Sequence, residues 1–518
     1  MTRGDAPPKH GSTRKRLLTG AAAAGAGLVL PGATGSALAS VFRAPKKSGA
    51  LYVDLELESP SFNPLLNNYQ HLRWVTDQVN ETMYVYQGAK IVPLLADGMP
   101  KVIDQLNAQV KVKSGIKFNN GHPLTAADVA ATFNAARGGV AAAIWKSHLQ
   151  PLASVTAIDS HTVHFTFKQP WGLLLEKMAD IPIVPASAVN VNEKLPGTGP
   201  FIFENHVQGQ SVTLAANPHY RLGAPKLSQI VFRFVPDAGT RTVNILSGQT
   251  HVSPAIPYPN VTQLAKNHKL NVYDVPAPVD LLFWISSQAV PDVRARQALA
   301  YAIDRKAVVD TVFGGHAEIG QGPIGPAILG YQYTTKPYGP KPDLTKAKSL
   351  LQAAGGGSLS FDYISTTDQV SQTMAQIIAQ NWQALGVNVN LQFLELAAWQ
   401  NSWLSGNWGA TCITSLDGVA VGPSPFIATA TIQSTNFLDL EKFKDPQVDQ
   451  DLANAYVTPN GPRQWKYYAD ASNRSATEVG QLPPAFPNFC VATSKKVHGL
   501  PTKPLTQGKL NFYPVSLA

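Results

Sequence analysis

The first sustained alternation of apolar and polar positions is Leu51-Tyr52-Val53-Asp54-Leu55-Glu56-Leu57-Glu58, whose period of two predicts a strand with one buried face, ended by Ser59 and Pro60. Val163, Phe165 and Phe167 repeat the pattern after a turn at Asp159-Ser160. Between them, Thr125 and Asp128 have capping-box spacing, and Val129 and Phe133 follow on one helical face. The clearest succession comes later. Leu359 to Ile364 predicts a strand, Gln369 to Leu385 a helix with Met374, Ile378 and Trp382 on one stripe, and Val387 to Phe393 an alternating strand. Gly386 stands where a left-handed residue would stop that helix. Strand, helix and strand within about 35 residues make a βαβ unit with a right-handed crossover in a mainly parallel sheet. The fold class is therefore α/β, and 518 residues call for at least two lobes.

The N-terminal pattern is of another kind. Arg14, Lys15 and Arg16 precede an apolar run from Leu17 to about Leu30, which at roughly 14 residues is short for a bilayer span and suited to a signal peptide. Ala37-Leu38-Ala39 before Ser40 is an A-x-A cleavage pattern, so residues 1–39 are read as a signal peptide. Thr13-Arg14-Lys15-Arg16-Leu17-Leu18 is similar to a twin-arginine signal with lysine replacing the second arginine, and both the Sec and Tat routes stay open. The first cysteine is Cys412, which gives no lipobox at the cleavage site. The expected location is therefore outside the cytoplasm, periplasmic or at the outer face of the cytoplasmic membrane.

Composition narrows the function. The leader carries a net +4 of the chain's +9, and what remains is spread without basic runs, which argues against nucleic-acid binding. Forty prolines and forty glycines without low-complexity tracts suggest many turns in a folded chain. Cys412 and Cys490 are either one disulfide or two inert buried thiols. No H-E-x-x-H, G-x-S-x-G or P-loop is present. His161 and His164, three apart in a strand, point to opposite faces and do not make a metal site. No catalytic residue, metal or cofactor is called for. Among nine tryptophans, Trp399, Trp403 and Trp408 lie close together, and aromatic rings commonly line solute pockets.

Several blocks carry a family likeness. Val112-Lys113-Ser114-Gly115-Ile116-Lys117-Phe118-Asn119-Asn120-Gly121-His122-Pro123-Leu124-Thr125-Ala126-Ala127-Asp128-Val129 resembles a signature of the extracytoplasmic solute-binding proteins of family 5, which serve ABC importers of dipeptides, oligopeptides and nickel. Gly197-Thr198-Gly199-Pro200-Phe201, Asn217-Pro218-His219-Tyr220 and Val231-Phe232-Arg233-Phe234-Val235-Pro236-Asp237 follow in the family's order. Asp292 to Arg305 resembles the helix opening the second lobe, and Lys496-Val497-His498-Gly499-Leu500 the closing segment. Physically these blocks read as scaffold: Asp292 and Asp304 can cap helices, and Gly197 and Gly199 beside Pro200 form a rigid turn.

The resemblance implies a two-lobed periplasmic-binding-protein-like fold (class II, cluster C type) with hinge-linked lobes that close on the ligand. It implies a discontinuous first-lobe domain at 40–70, 196–283 and 491–518, an inserted domain at 71–195, and a second lobe at 284–490. The partners it implies are a peptide or peptide-like solute and an ABC permease in the membrane, with a monomeric binding protein and no nucleic acid. The expected ligand-binding residues are Glu58, Asn68, Tyr69, Trp399, Trp408 and Asp417. Glu58 matches an acidic position six residues before Pro64, and Asp417 matches the family's amine-binding aspartate only if its loop is shifted by two residues, since ungapped counting from Pro423 selects Val419. Other cargoes on this scaffold are an oligosaccharide, an opine-like conjugate or a metal chelate. The alternative of another class is an exported hydrolase with a carboxylate pair, for which no spacing singles out a pair.

Overall fold

The computed structural model describes residues 49–66, 70–138, 143–191, 195–254, 256–276, 278, 280–356, 359–404, 412–417, 424–434, 442–502 and 508–518. The export signal read in residues 1–39 lies outside them.

The largest sheet has the order β12 (Leu270–Pro276), β18 (Ala485–Ser494), β11 (Val252–Ser253), β1 (Ala50–Leu55), β10 (Gln229–Phe234), β9 (Ser211–Ala216) and β8 (Phe201–Val207), with β14 (Ala317–Ile319) also pairing with β18. β1 runs parallel to β10 from Ala50 opposite Gln229 to Leu55 opposite Phe234. The alternation at 51–58 predicted one buried face and a strand reaching Glu58. Instead, β1 ends at Leu55 and all six of its residues are buried. The polar member of the pattern, Asp54, is buried because Arg233 on the neighbouring strand lies 2.5 Å from it and Asn244 Nδ2 donates to it at 2.8 Å. A charge with such partners reads like a solvated position in sequence and behaves like core in the fold.

A second sheet has the order β4 (Lys101–Asp104), β5 (Asn107–Lys111), β7 (Thr162–Phe167) and β6 (Leu152–Ala157), beside the hairpin β2 (Tyr84–Gln87) and β3 (Lys90–Pro93). β7 keeps the predicted alternation, with Val163, Phe165 and Phe167 facing the core. Helix α1 (Ala126–Arg137) begins where the capping-box spacing placed it: the Asp128 carboxylate accepts the Thr125 N–H at 2.9 Å and its hydroxyl at 2.8 Å. Phe133 of α1 meets Phe165 edge to face at 5.3 Å. Two short helices, α2 (Ala143–His148) and α3 (Leu174–Asp180), complete this body.

The third sheet, in the order β13 (Asp280–Ile285), β17 (Cys412–Asp417), β15 (Ser360–Thr366) and β16 (Asn388–Leu394), contains the predicted βαβ unit. β15 and β16 are parallel, joined by a helix at Gln369–Gln383. Asp368 caps that helix by accepting the Ser371 N–H at 2.9 Å, and Gly386 follows at φ +84°. Met374, Ile378 and Trp382 are fully buried. We number the further helices α4 (Val293–Ala302), α5 (the Gln369–Gln383 crossover), α6 (Leu396–Leu404), α7 (Phe426–Ala430), α8 (Pro446–Val457) and α9 (Pro462–Glu478). Asp292 caps α4 through the Arg294 N–H, and Asp304 receives the Ala307 N–H, as their positions led us to expect.

Two of the sequence blocks meet at one buried carboxylate. Glu81 accepts from Thr198 at 2.9 Å, Tyr220 at 2.8 Å and Arg221 at 2.5 Å. A methyl group on Gly197 would stand 1.8 Å from the Val79 carbonyl oxygen, and one on Gly199 2.7 Å from those of Gln78 and Val79, so glycine is required for that approach. Cys490 is a free, buried thiol on β18 that donates to Asp274 at 3.5 Å, and burial pushes it well above the usual thiol range.

Candidate ligand site

The parallel pair β1 and β10 ends at Leu55 and Phe234, and the chain leaving β1 forms a crevice there. Its volume is about 470 Å³, and it is lined by Glu58, Ser59, Pro60, Ser61, Phe62, His206 and Gln208. The ends of parallel strands are where α/β sheets usually bind ligand, because the connecting loops diverge there.

Local bonding holds the rim. Ser59 Oγ donates to the Ser61 carbonyl at 2.8 Å, and Ser61 Oγ accepts the Asn63 N–H at 3.1 Å. The Asn63 side chain then donates to the Val189 and Val191 carbonyls at 3.1 and 2.9 Å, which fastens the Phe62-Asn63-Pro64 turn to another part of the chain. Glu58 is about a quarter exposed. Its Oε1 lies 2.5 Å from His206 Nε2, and its Oε2 accepts the Gly209 N–H at 2.7 Å. The carboxylate thus ties the end of β1 to the turn between β8 and β9. Phe62 stacks edge to face on His206 at 5.0 Å and lies 5.4 Å from Phe203, so the crevice offers an aromatic wall beside hydroxyl, amide and carboxylate groups. Such a lining can orient a polar solute by hydrogen bonds and cover it with rings.

The other expected contacts are less fully placed. Asn68, Tyr69 and Trp408 lie outside the described residues. Asp417 is on β17, in register with Asp280, and its side chain is outside what the structure describes. Trp399 is on α6 with its side chain fully buried. Sequence reasoning missed His206 and Gln208, which come from a hairpin some 150 positions away in the chain. The one local signal is the Gln208-Gly209 turn that brings them back toward β1. His161 and His164 have separate partners, Ser160 and Asn107, at 2.7 and 3.0 Å. Among the described residues, no three of His, Cys, Asp and Glu gather to hold a metal ion. Among the same residues, no helix is long and apolar enough to cross a membrane.

Comparison with known proteins gives the arrangement its family. The glutathione-binding protein GsiB of Pectobacterium atrosepticum is 27% identical over 439 residues, covering 80% of this chain and 84% of that protein. The oligopeptide-binding protein AppA of Bacillus subtilis, solved with a nonapeptide, superposes with a TM-score of 0.76 at 21% identity over 92% of this chain and 100% of AppA. AgaA of Agrobacterium tumefaciens R10, solved with agropinic acid, gives 0.76 at 22% identity over 91% and 99%. These structures share the two-lobed α/β fold of periplasmic binding proteins. The profile described as bacterial extracellular solute-binding proteins, family 5 Middle, matches residues 90–435. Together with the fold, that match over two thirds of its length places this chain in family 5 of the bacterial extracellular solute-binding proteins.

Proposed function

We propose that this protein is the substrate-binding component of an ABC importer and captures a peptide or peptide-like solute between its lobes. The observation that carries the reading is the family match across 90–435 on a fold shared with peptide-bound AppA. The glutathione-binding relative favours a short peptide. The domain division that accompanies the reading places 40–70, 196–283 and 491–518 in the first lobe, with 71–195 inserted and 284–490 in the second. The exported location and the permease partner follow from the same reading, and the monomeric state is part of the proposal.

Glu58 and Asp417 are proposed to receive the solute's ammonium. A carboxylate has about four acceptor positions. Glu58 uses two of them on His206 and Gly209, which leaves capacity toward the crevice. Asn68, Tyr69 and Trp408 are proposed as further contacts. Trp399 would touch the solute only after α6 moves. A second cargo class, an opine-like conjugate, has the AgaA likeness in its favour.

The test is calorimetry with a tripeptide and its N-acetylated form. Asp417→Asn should weaken the free-amine peptide at least about tenfold, since a lost charge-assisted partner costs several kcal/mol, and should barely change the acetylated one. Equal affinity of both proteins for the free amine removes Asp417 from the site.

A further inference from the structure

Away from the Glu58 crevice, the body built on β4–β7 meets the segment carrying α7, α8 and α9 along a buried seam. The Gly172 N–H donates to the Tyr456 carbonyl at 2.7 Å. A methyl group on Gly172 would lie 2.1 Å from the Thr458 carbonyl oxygen, so the two chains touch backbone to backbone. Glu176, fully buried on α3, accepts from the Ser424 hydroxyl and from Asn460 Nδ2 at 3.2 Å. Lys177 lies 3.4 Å from Asp180, with its ammonium 4.7 Å from the centre of the Phe426 ring. Phe426 and Ala430 of α7 belong to the same buried apolar cluster as Phe133 and Trp145. His148 of α2 is packed edge to face between Phe426 at 4.9 Å and Trp145 at 5.7 Å, and among the described residues neither ring nitrogen has a hydrogen-bond partner.

We propose that this seam is an acid-released latch between the two lobes, already made without solute and broken when His148 takes up a proton. The inference rests on the reading of two lobes that close on a solute. An imidazole 3% exposed between two aromatic rings can sit there neutral, but an imidazolium cannot without a partner for its charge. The charged groups around it are few. α2 contributes only Lys146, which is exposed, while α3 brings Glu176, Lys177 and Asp180. The stretches 424–430 and 456–460 carry no charged residue, and the Tyr456 and Tyr468 phenols are kept neutral by burial.

Burial first, and the Lys177 charge second, hold His148 well below the ordinary imidazole range. The latch therefore has its full strength above about pH 6.5, the value for a freed imidazole, and weakens as pH falls below it. Glu176 acts the other way. Burial raises its carboxyl, so acid alone would favour its place in the seam. The two contributions are thus separable by substitution at His148.

Hydrogen exchange of the Gly172 amide, in the full chain without any solute, reads the latch directly. Corrected for intrinsic rate, wild-type protection should fall about tenfold per pH unit below roughly pH 6.5. His148→Phe, which keeps a flat ring, should hold its protection to pH 5, and Gly172→Ala should lose it at every pH while the third sheet stays protected. An amide unprotected at all pH in the wild type, protection unchanged down to pH 5, or a His148→Phe curve parallel to wild type overturns the latch. Because no solute enters the assay, a protein that binds no peptide would still show it, so the two readings fail separately.

Discussion

At the residue scale, polar groups in this fold act through partners distant in sequence. Asp54 has the place of a solvated residue in its alternation and is buried against Arg233, Asn244 and, through the same guanidinium, Thr250. Removing the arginine alone would leave a buried carboxylate short of its counter-charge. Arg233→Leu should lower unfolding free energy by roughly 3–5 kcal/mol in urea, whereas Asp54→Leu with Arg233→Leu should recover much of the loss. A single-variant effect under about 1 kcal/mol would mean that the pair is not structural. Glu58 shows the same dependence. Its position was legible as the end of a polar-apolar alternation, but its partners His206 and Gly209 were not, because a contact across some 150 residues leaves no periodic trace.

At the element scale, sequence and structure agree wherever period and cap point the same way. The βαβ unit was legible because the Met374, Ile378 and Trp382 stripe and the Gly386 stop are local signals, to which the structure adds the Asp368 cap. Trp382 also donates from Nε1 to the Leu299 carbonyl at 2.9 Å, which pins α5 to α4. Trp382→Ala should therefore cost about 3–5 kcal/mol and Asp368→Ala about 1 kcal/mol in denaturant melts. If the tryptophan change costs no more than the cap, the crossover helix is not anchored through that ring. β1 is the counter-example. Its period suggested a half-buried strand, but within a sheet flanked by parallel neighbours both of its faces are buried, which no alternation within one strand can reveal.

At the scale of the whole molecule, family 5 membership was legible in the ordered blocks, two of which prove to converge on Glu81. The solute is specified by few side chains from separate segments, so sequence pattern carries much less of it. A bound solute should raise stability by about 2.7 kcal/mol at a hundredfold excess over its dissociation constant, by mass action. The central claim is that an intact peptide-like solute is captured and not processed. Native mass spectrometry of the protein incubated with a pooled peptide library, alongside equal pools of oligosaccharides and metal chelates, tests it most directly. The account predicts a one-to-one complex with an uncleaved short peptide. Retention of a sugar or chelate with no peptide bound, or recovery of peptide fragments, would contradict it.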